Sequence, residues 1–286
     1  MQPLLAQVSS LPFDFSEDVS GYAAARFRQM EVWLTKLEEY LSRHSPDELR
    51  QLLERHSMQL PVASFQGGLF ASGQAGQQAW GLFERRLALC RDWQIQTLVV
   101  AADVSGPIDE ASAQQVIDRL SEAAHTAEKF GIRLALEFRA NATLLNNLET
   151  AAAVVRRIGH PLLGLCLDTF HFHVGPSKLE DLRYLEPTWL FHVQLADLAD
   201  VPRELAADAH RILPGEGDIA IPAILEHLQK IGYQGTVSIE MLNPQLWHVS
   251  PRQLAETARA CFERLLVPRD RTASGGDRGS HTSQVG

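Results

Sequence analysis

Four short apolar runs in the second half of this chain each end in a residue that can hold a divalent cation through oxygen. They are Leu134 to Glu137, Leu163 to Asp168, Phe191 to Gln194 and Thr236 to Glu240. Glu137, Asp168 and Glu240 bring carboxylates and Gln194 brings an amide oxygen, a hard donor set that suits Mg²⁺ or Mn²⁺, with Co²⁺ as a further fit. Two of these acids, Glu137 and Glu240, are also candidates for moving a proton to and from a carbon beside a carbonyl. For a single acid the plain reading is a strand end that caps or salt-bridges a neighbour. Four ligand types ending four successive runs favour a site.

Taken with the two-residue period of a strand, each run puts its ligand on one face with small or polar neighbours. Ala135 and Glu137 share a face, as do Gly164, Cys166 and Asp168, then His192 and Gln194, then Thr236, Ser238 and Glu240. The opposite faces are Leu, Val, Ile and Met, apolar enough to lie under helices. Strands of a closed parallel barrel have this pattern, with the site at their carboxyl ends.

Nearby residues extend the site. His171, three residues after Asp168, falls just above the cation, within reach of a substrate hydroxyl. His192 shares a face with Gln194 but lies deeper, so a substrate contact and a hydrogen-bonded core position are equally open. Arg211 sits in the long loop Asp197 to Asp218, where a planar set of donors to hydroxyl or carboxylate oxygens, held in place by the Pro214-Gly215 turn, and a plain surface arginine are equally open readings. Glu31, in the second strand, could reach a substrate, but a structural or solvent-facing role is the favoured reading. Cys166 reads as a small buried filler rather than a nucleophile.

The elements that must carry these residues follow from the rest of the chain. Leu4 to Leu11 reads as the first strand, followed by a helix over Ser16 to Phe27. Met30 to Leu34, Gln59 to Phe65 and Thr97 to Val100 read as strands two to four. Ser45-Pro-Asp-Glu48 is a capping box with proline in the first turn, opening a helix through His56. Helices are predicted over Ala79 to Asp92, Ile108 to Phe130, Leu148 to Ile158, Lys178 to Tyr184, Pro222 to Ile231 and Pro251 to Leu266. Glycines from Gly67 to Gly76 read as a flexible lid, since no phosphate-cradling pattern accompanies them. Eight strand and helix pairs make an α/β fold, a single-domain (β/α)8 TIM barrel over residues 1–267. Residues 268–286, with almost nothing to bury, read as a disordered tail.

Composition sets the outer limits. The 286 residues are 45% hydrophobic, and the formal charge of −9 argues against nucleic acid or an anionic membrane as partner. No apolar run approaches the ~20 residues of a membrane span. Three widely spaced cysteines and no signal peptide point to a reducing cytoplasm.

At LALEF, GLCLDTFHFH, AHRILPGEGDI and TVSIEMLNPQLW the sequence resembles the xylose-isomerase-like family of sugar phosphate isomerases and epimerases, nearest its inosose-isomerase branch. The likeness is specific from about Leu134 to Leu266 and architectural before that. It implies a metal held by Glu137, Asp168 and Glu240, and substrate contacts by His171 and Arg211. The third ligand, usually histidine in the family, is Gln194 here, as in members resembling hydroxypyruvate isomerase and 3-dehydroshikimate dehydratase. The activity implied is a metal-dependent isomerisation or epimerisation of a sugar or keto-polyol, by enediolate proton transfer between Glu240 and Glu137. A dehydratase of the 3-dehydroshikimate type and a non-catalytic sugar-binding barrel are the alternatives. Related barrels often form dimers or tetramers, so a homodimer or homotetramer stays open.

Overall fold

The computed structural model describes residues 1–266. The expected tail, 268–286, lies outside the described residues. Eight parallel strands close into a barrel in chain order: β1 (Gln2–Ala6), β2 (Gln29–Trp33), β3 (Gln59–Gln66), β4 (Thr97–Ala101), β5 (Arg133–Glu137), β6 (Leu163–Asp168), β7 (Leu190–Leu195) and β8 (Thr236–Ile239). The ring is sealed by β1 against β8, where Gln2 pairs with Thr236 and Leu5 with Ile239. Closure leaves no strand edge exposed.

Around it run α1 (Phe15–Ala24), α2 (Leu34–Arg43), α3 (Pro46–His56), α4 (Gly73–Asp92), α5 (Glu110–Glu128), α6 (Leu148–Ile158), α7 (Thr169–Val174), α8 (Ile221–Lys230) and α9 (Pro251–Leu266). The capping box forms as the sequence suggests: Ser45 Oγ accepts from Glu48 N at 3.3 Å, and Glu48 Oε2 accepts from Ser45 N at 2.7 Å. No helix among the described residues is long and apolar enough to cross a membrane.

Several segments depart from the sequence reading: α2 was not foreseen, the helix expected over Lys178 to Tyr184 is a 3-10 helix over Leu179–Tyr184, and three further differences stand out. The first strand stops at Ala6 and continues as a 3-10 turn over Gln7–Ser10, because Gln7, Ser9 and Ser10 find side-chain partners there. The expected lid is shorter, since Gly73 already begins α4. The third difference is α7, a helix the sequence reading missed. Asp168 is its N-cap, its Oδ1 accepting from Phe170 N at 2.7 Å and His171 N at 3.0 Å.

Outward-facing leucines, valines and isoleucines of the strands pack under the helices in one large core. Inside the lower barrel sits a separate small cluster of Leu4, Val62, Val99, Ala135, Cys166 and Phe191. Each such side chain contributes roughly 1.5–3 kcal/mol if large and fully buried. Gly164 makes room for it: a Cβ there would lie 2.3 Å from the Trp189 carbonyl oxygen and 2.7 Å from the Phe191 ring. With this plug filling the bottom, only the top of the barrel is left for polar side chains.

Candidate metal and proton-transfer site

Strand register brings the four sequence-predicted ligands to one end. Asp168 pairs with Gln194 and Gln194 with Ser238, while Glu137, one level over, pairs with Cys166. Glu240 follows β8 directly, its N–H donating to Leu195 O at 3.0 Å. All four are buried.

Glu137, Asp168 and His171 form a group whose ligand atoms lie within 4.8 Å of one another. His171 Nε2 is 3.3 Å from Glu137 Oε1, so it stands at the same end of the barrel as the predicted ligands. The cause is α7: capping by Asp168 starts the helix at Thr169 and brings His171 round to the same mouth. Its Nδ1 is buried without a hydrogen-bond partner.

Arg211 is 1% exposed and lies between two of the acids. Its Nη1 donates to Asp168 Oδ2 at 2.7 Å and reaches Glu240 Oε2 at 3.4 Å. Asp208 fixes the other edge of the guanidinium, at 2.9 Å from Nε and 2.8 Å from Nη2, and the Phe170 ring lies 4.5 Å from its centre. Asn243 Nδ2 donates to the Arg211 carbonyl at 3.0 Å. The loop itself is tied by Asp197, whose carboxylate accepts from Leu198 N, Gly215 N and Ile219 N.

Gln194 spans two carboxylates. Its Nε2 donates to Glu31 Oε1 at 2.8 Å and to Glu240 Oε1 at 3.0 Å, and its Oε1 accepts from the Cys166 thiol at 3.1 Å. His192 lies lower and fully buried, Nδ1 at 2.8 Å from Thr236 Oγ1 and Nε2 at 3.0 Å from Glu31 Oε2. The core alternative is the one its surroundings match. Glu31 is likewise completely buried, which corrects the solvent-facing reading: β2 turns it into the barrel, where His192, Ser238 and Gln194 surround it.

The electrostatics follow from crowding acids out of water. Burial, reinforced by the charges of Glu31, Glu137 and Asp168, pushes the Glu240 carboxyl well above the usual range, against the pull of Arg211. Burial acts on Asp168 in the same direction and is the largest single influence, but the charges of Arg211 and His171 and the hydrogen bonds from Arg211 and the His171 backbone together outweigh it and hold this carboxyl below its ordinary value. Glu31 is also lowered, because His192 and the other donors outweigh burial. Burial and four surrounding acids push the Cys166 thiol up, consistent with a filler and not a nucleophile.

Glu137, Asp168, Asp208 and Glu240 are thus four carboxylates facing two guanidiniums, those of Arg211 and Arg139, while Glu31 faces His192. Arg139 contacts Glu137 at 3.6 Å and Asp208 at 3.3 Å. Ligand atoms of Glu137, Asp168 and His171 within 4.8 Å of one another, amid closely packed buried carboxylates, are a fit for a divalent cation. Arg139, Asp197 and Asp208 were missed by sequence reasoning. The only available signal was a charged residue in a loop beside a strand end, which many surface loops share.

The family model described as xylose isomerase-like TIM barrel matches residues 20–265. The inosose isomerase of Bacillus velezensis is 27% identical over 251 residues, 86% of this chain and 88% of that one. The 3-dehydroshikimate dehydratase of Pseudomonas putida is 27% identical over 263 residues, which cover 89% of this chain but 40% of the relative. The crystal structure of IOLI protein with a binding zinc atom superposes with a TM-score of 0.86 at 24% identity, over 93% of this chain and 98% of that one, a likeness of fold.

Proposed function

This chain belongs to the xylose isomerase-like TIM barrel family, and we propose that it is a divalent-metal-dependent isomerase or epimerase of a sugar or keto-polyol. The observation that carries the reading is the pair Glu137 and Glu240, buried at strand ends β5 and β8 with Asp168 between them in chain order and in the ring. Two carboxylates on separate strands can serve two carbons or two faces of one substrate, whereas a pure binder has no use for them. Similarity to inosose isomerases over most of the chain supports the same class.

The cation would be held by Glu137, Asp168, Glu240 and the Gln194 amide oxygen, with Mg²⁺ or Mn²⁺ preferred for an oxygen-rich set. His171 lies close enough to Glu137 and Asp168 to bring a nitrogen donor as well, which widens the choice toward Co²⁺ or Zn²⁺. A bound divalent cation supplies a Lewis acid that offsets negative charge growing on the substrate oxygen. Glu240 takes the proton from the carbon beside the carbonyl, and the C–H electron pair becomes the double bond of an enediolate. For isomerisation Glu137 returns a proton to the neighbouring carbon, the hydroxyl proton passes to the first carbonyl oxygen and the carbonyl re-forms at the adjacent one; for epimerisation Glu137 protonates the opposite face of the same carbon and the carbonyl re-forms at its original oxygen. Arg211 and His171 donate to substrate oxygens and keep them oriented.

A second reading, dehydration of a 3-dehydroshikimate-type substrate, is favoured by glutamine in the third ligand position and by the similarity to the Pseudomonas putida enzyme. It begins with the same proton abstraction and then expels a β-hydroxyl. Proton NMR in D₂O with Mg²⁺-loaded protein separates the two, using 2-keto-myo-inositol, hydroxypyruvate, several ketoses and 3-dehydroshikimate, each with and without chelator. Chelator-sensitive loss of one α-proton with an isomer appearing is the expected outcome. Elimination from 3-dehydroshikimate alone assigns the chain to the lyases, and exchange with no compound removes the enzymatic reading for these substrates.

A further inference from the structure

Glu31 lies on β2, across the barrel from the ligand strands and 106 residues before the first of them in the chain, yet it is fully buried and accepts from three side chains at once. Its Oε1 takes the Gln194 amide at 2.8 Å. Its Oε2 takes Ser238 Oγ at 2.5 Å and faces His192 Nε2 at 3.0 Å. The other N–H of the same Gln194 amide reaches Glu240 Oε1 at 3.0 Å. A continuous line of hydrogen bonds therefore runs from β2 through β7 to the acid after β8.

We propose that Glu31 is a positioning residue, which fixes the Gln194 amide and through it the Glu240 carboxylate in the orientation used for chemistry. An amide swings freely about its last torsion unless its nitrogen is held, because its broad rotamer well offers little resistance. Holding the nitrogen decides where both the oxygen and the second N–H point. A carboxylate does the same for metal-bound histidines by accepting their free ring N–H. Ser238 and His192 in turn hold Glu31, and Thr236 holds His192, so the acceptor is fixed from below.

This inference rests on the reading of Glu240 as the base and Gln194 as part of the cation site. Two substitutions separate position from charge. Glu31→Gln loses the charge but keeps an oxygen for the Gln194 amide, and His192 can accept from the new N–H through its Nε2. Glu31→Asp keeps the charge and withdraws the oxygen by one methylene.

The experiment is a Mn²⁺ binding isotherm by electron paramagnetic resonance, with kcat and KM for C–H exchange where a substrate is in hand. It is run on wild type, Glu31→Gln, Glu31→Asp, Gln194→Leu and Gln194→Leu/Glu31→Asp. Glu31→Asp is expected to weaken Mn²⁺ binding about 10- to 100-fold and to lower kcat more than it raises KM. Glu31→Gln should stay within about threefold of wild type, and Glu31→Asp should add nothing in the Gln194→Leu background. Wild-type affinity and kcat in Glu31→Asp, a larger loss in Glu31→Gln than in Glu31→Asp, or additive effects in the double variant would each overturn the proposal. If Mn²⁺ binds but Glu240→Gln retains exchange, Glu240 is not the base, and the isotherms still decide Glu31. A wild-type protein that binds no Mn²⁺ removes both readings.

Discussion

Two buried polar knots sit at the carboxyl ends of the strands, one beside β1 and β2 and one over β5 to β8, and they are built on opposite terms. In the first, Asp18 accepts from Lys36 Nζ at 2.5 Å, Ser10 Oγ at 2.7 Å and Gln7 Nε2 at 2.9 Å, and Lys36 also donates to Ser10 O. One acid meets one cation, and the neighbouring donors are spoken for. In the second, Glu137, Asp168, Asp208 and Glu240 share the two guanidiniums of Arg211 and Arg139, and the buried Nδ1 of His171 has no hydrogen-bond partner. A matched knot joins helices α1 and α2 to the barrel and needs nothing more. An unmatched knot holds charge that only a ligand can offset, which is the physical mark of a site.

The comparison can be broken from either side. Glu240→Gln should lower substrate C–H exchange by roughly 10²- to 10⁴-fold with the melting temperature held or raised, since it removes one charge from an overcrowded cluster. Solvent-deuterium NMR with a thermal melt checks both, and retained exchange would take the base role from Glu240. Lys36→Met should do the reverse, costing about 3–5 kcal/mol of stability by stranding Asp18 while Mn²⁺ affinity stays at the wild-type value. Denaturant titration beside a binding isotherm reads the two effects, and a matched loss of metal binding would join the knots into one network.

Asp208→Asn should loosen Arg211 and raise KM about tenfold, roughly 1.4 kcal/mol, with kcat little changed, because Asp208 grips the guanidinium edge away from the acids. A kcat defect of equal size would mean that Arg211 acts in the transition state rather than in binding. The smallest effect concerns pH. Burial outweighs Lys36 and raises the Asp18 carboxyl from 3.8 to about 6. The folded chain therefore keeps a proton that the unfolded chain releases, and this group's contribution to stability falls as pH rises from 3.8 to about 6. Asp18→Asn should flatten that part of the stability–pH curve, and an unchanged slope would show that other groups set it.

The ligand strands were legible because a closed barrel imposes two independent constraints on one short run. The outer face of Leu134, Leu136, Leu165 and Leu167 must be apolar, and the inner face must narrow and turn polar at its end. Glu137, Asp168, Gln194 and Glu240 stand out against that alternation. The first half of the chain was less legible. Gln7 to Ser10 alternates like the end of a strand, and nothing local distinguishes a strand from a turn whose side chains are bonded to Asp18 and Met241. α7 was missed for a similar reason: Asp168 carries both a ligand signature and an N-cap signature, and attention to the first hid the second.

From its residues alone the chain fixed its periodicity, its closed α/β barrel and the end of that barrel where Glu137, Asp168, Gln194 and Glu240 gather. These are properties of neighbours in sequence, set by side-chain alternation and by what each face can bury. Which acid faces which cation was decided only in three dimensions. Glu31 with Gln194, Arg211 with Asp168 and Arg139 with Asp208 are separated by 163, 43 and 69 residues. A pairing of that kind depends on strand register and loop path. Those are set by the closing of the whole ring, so no local stretch of sequence carries them.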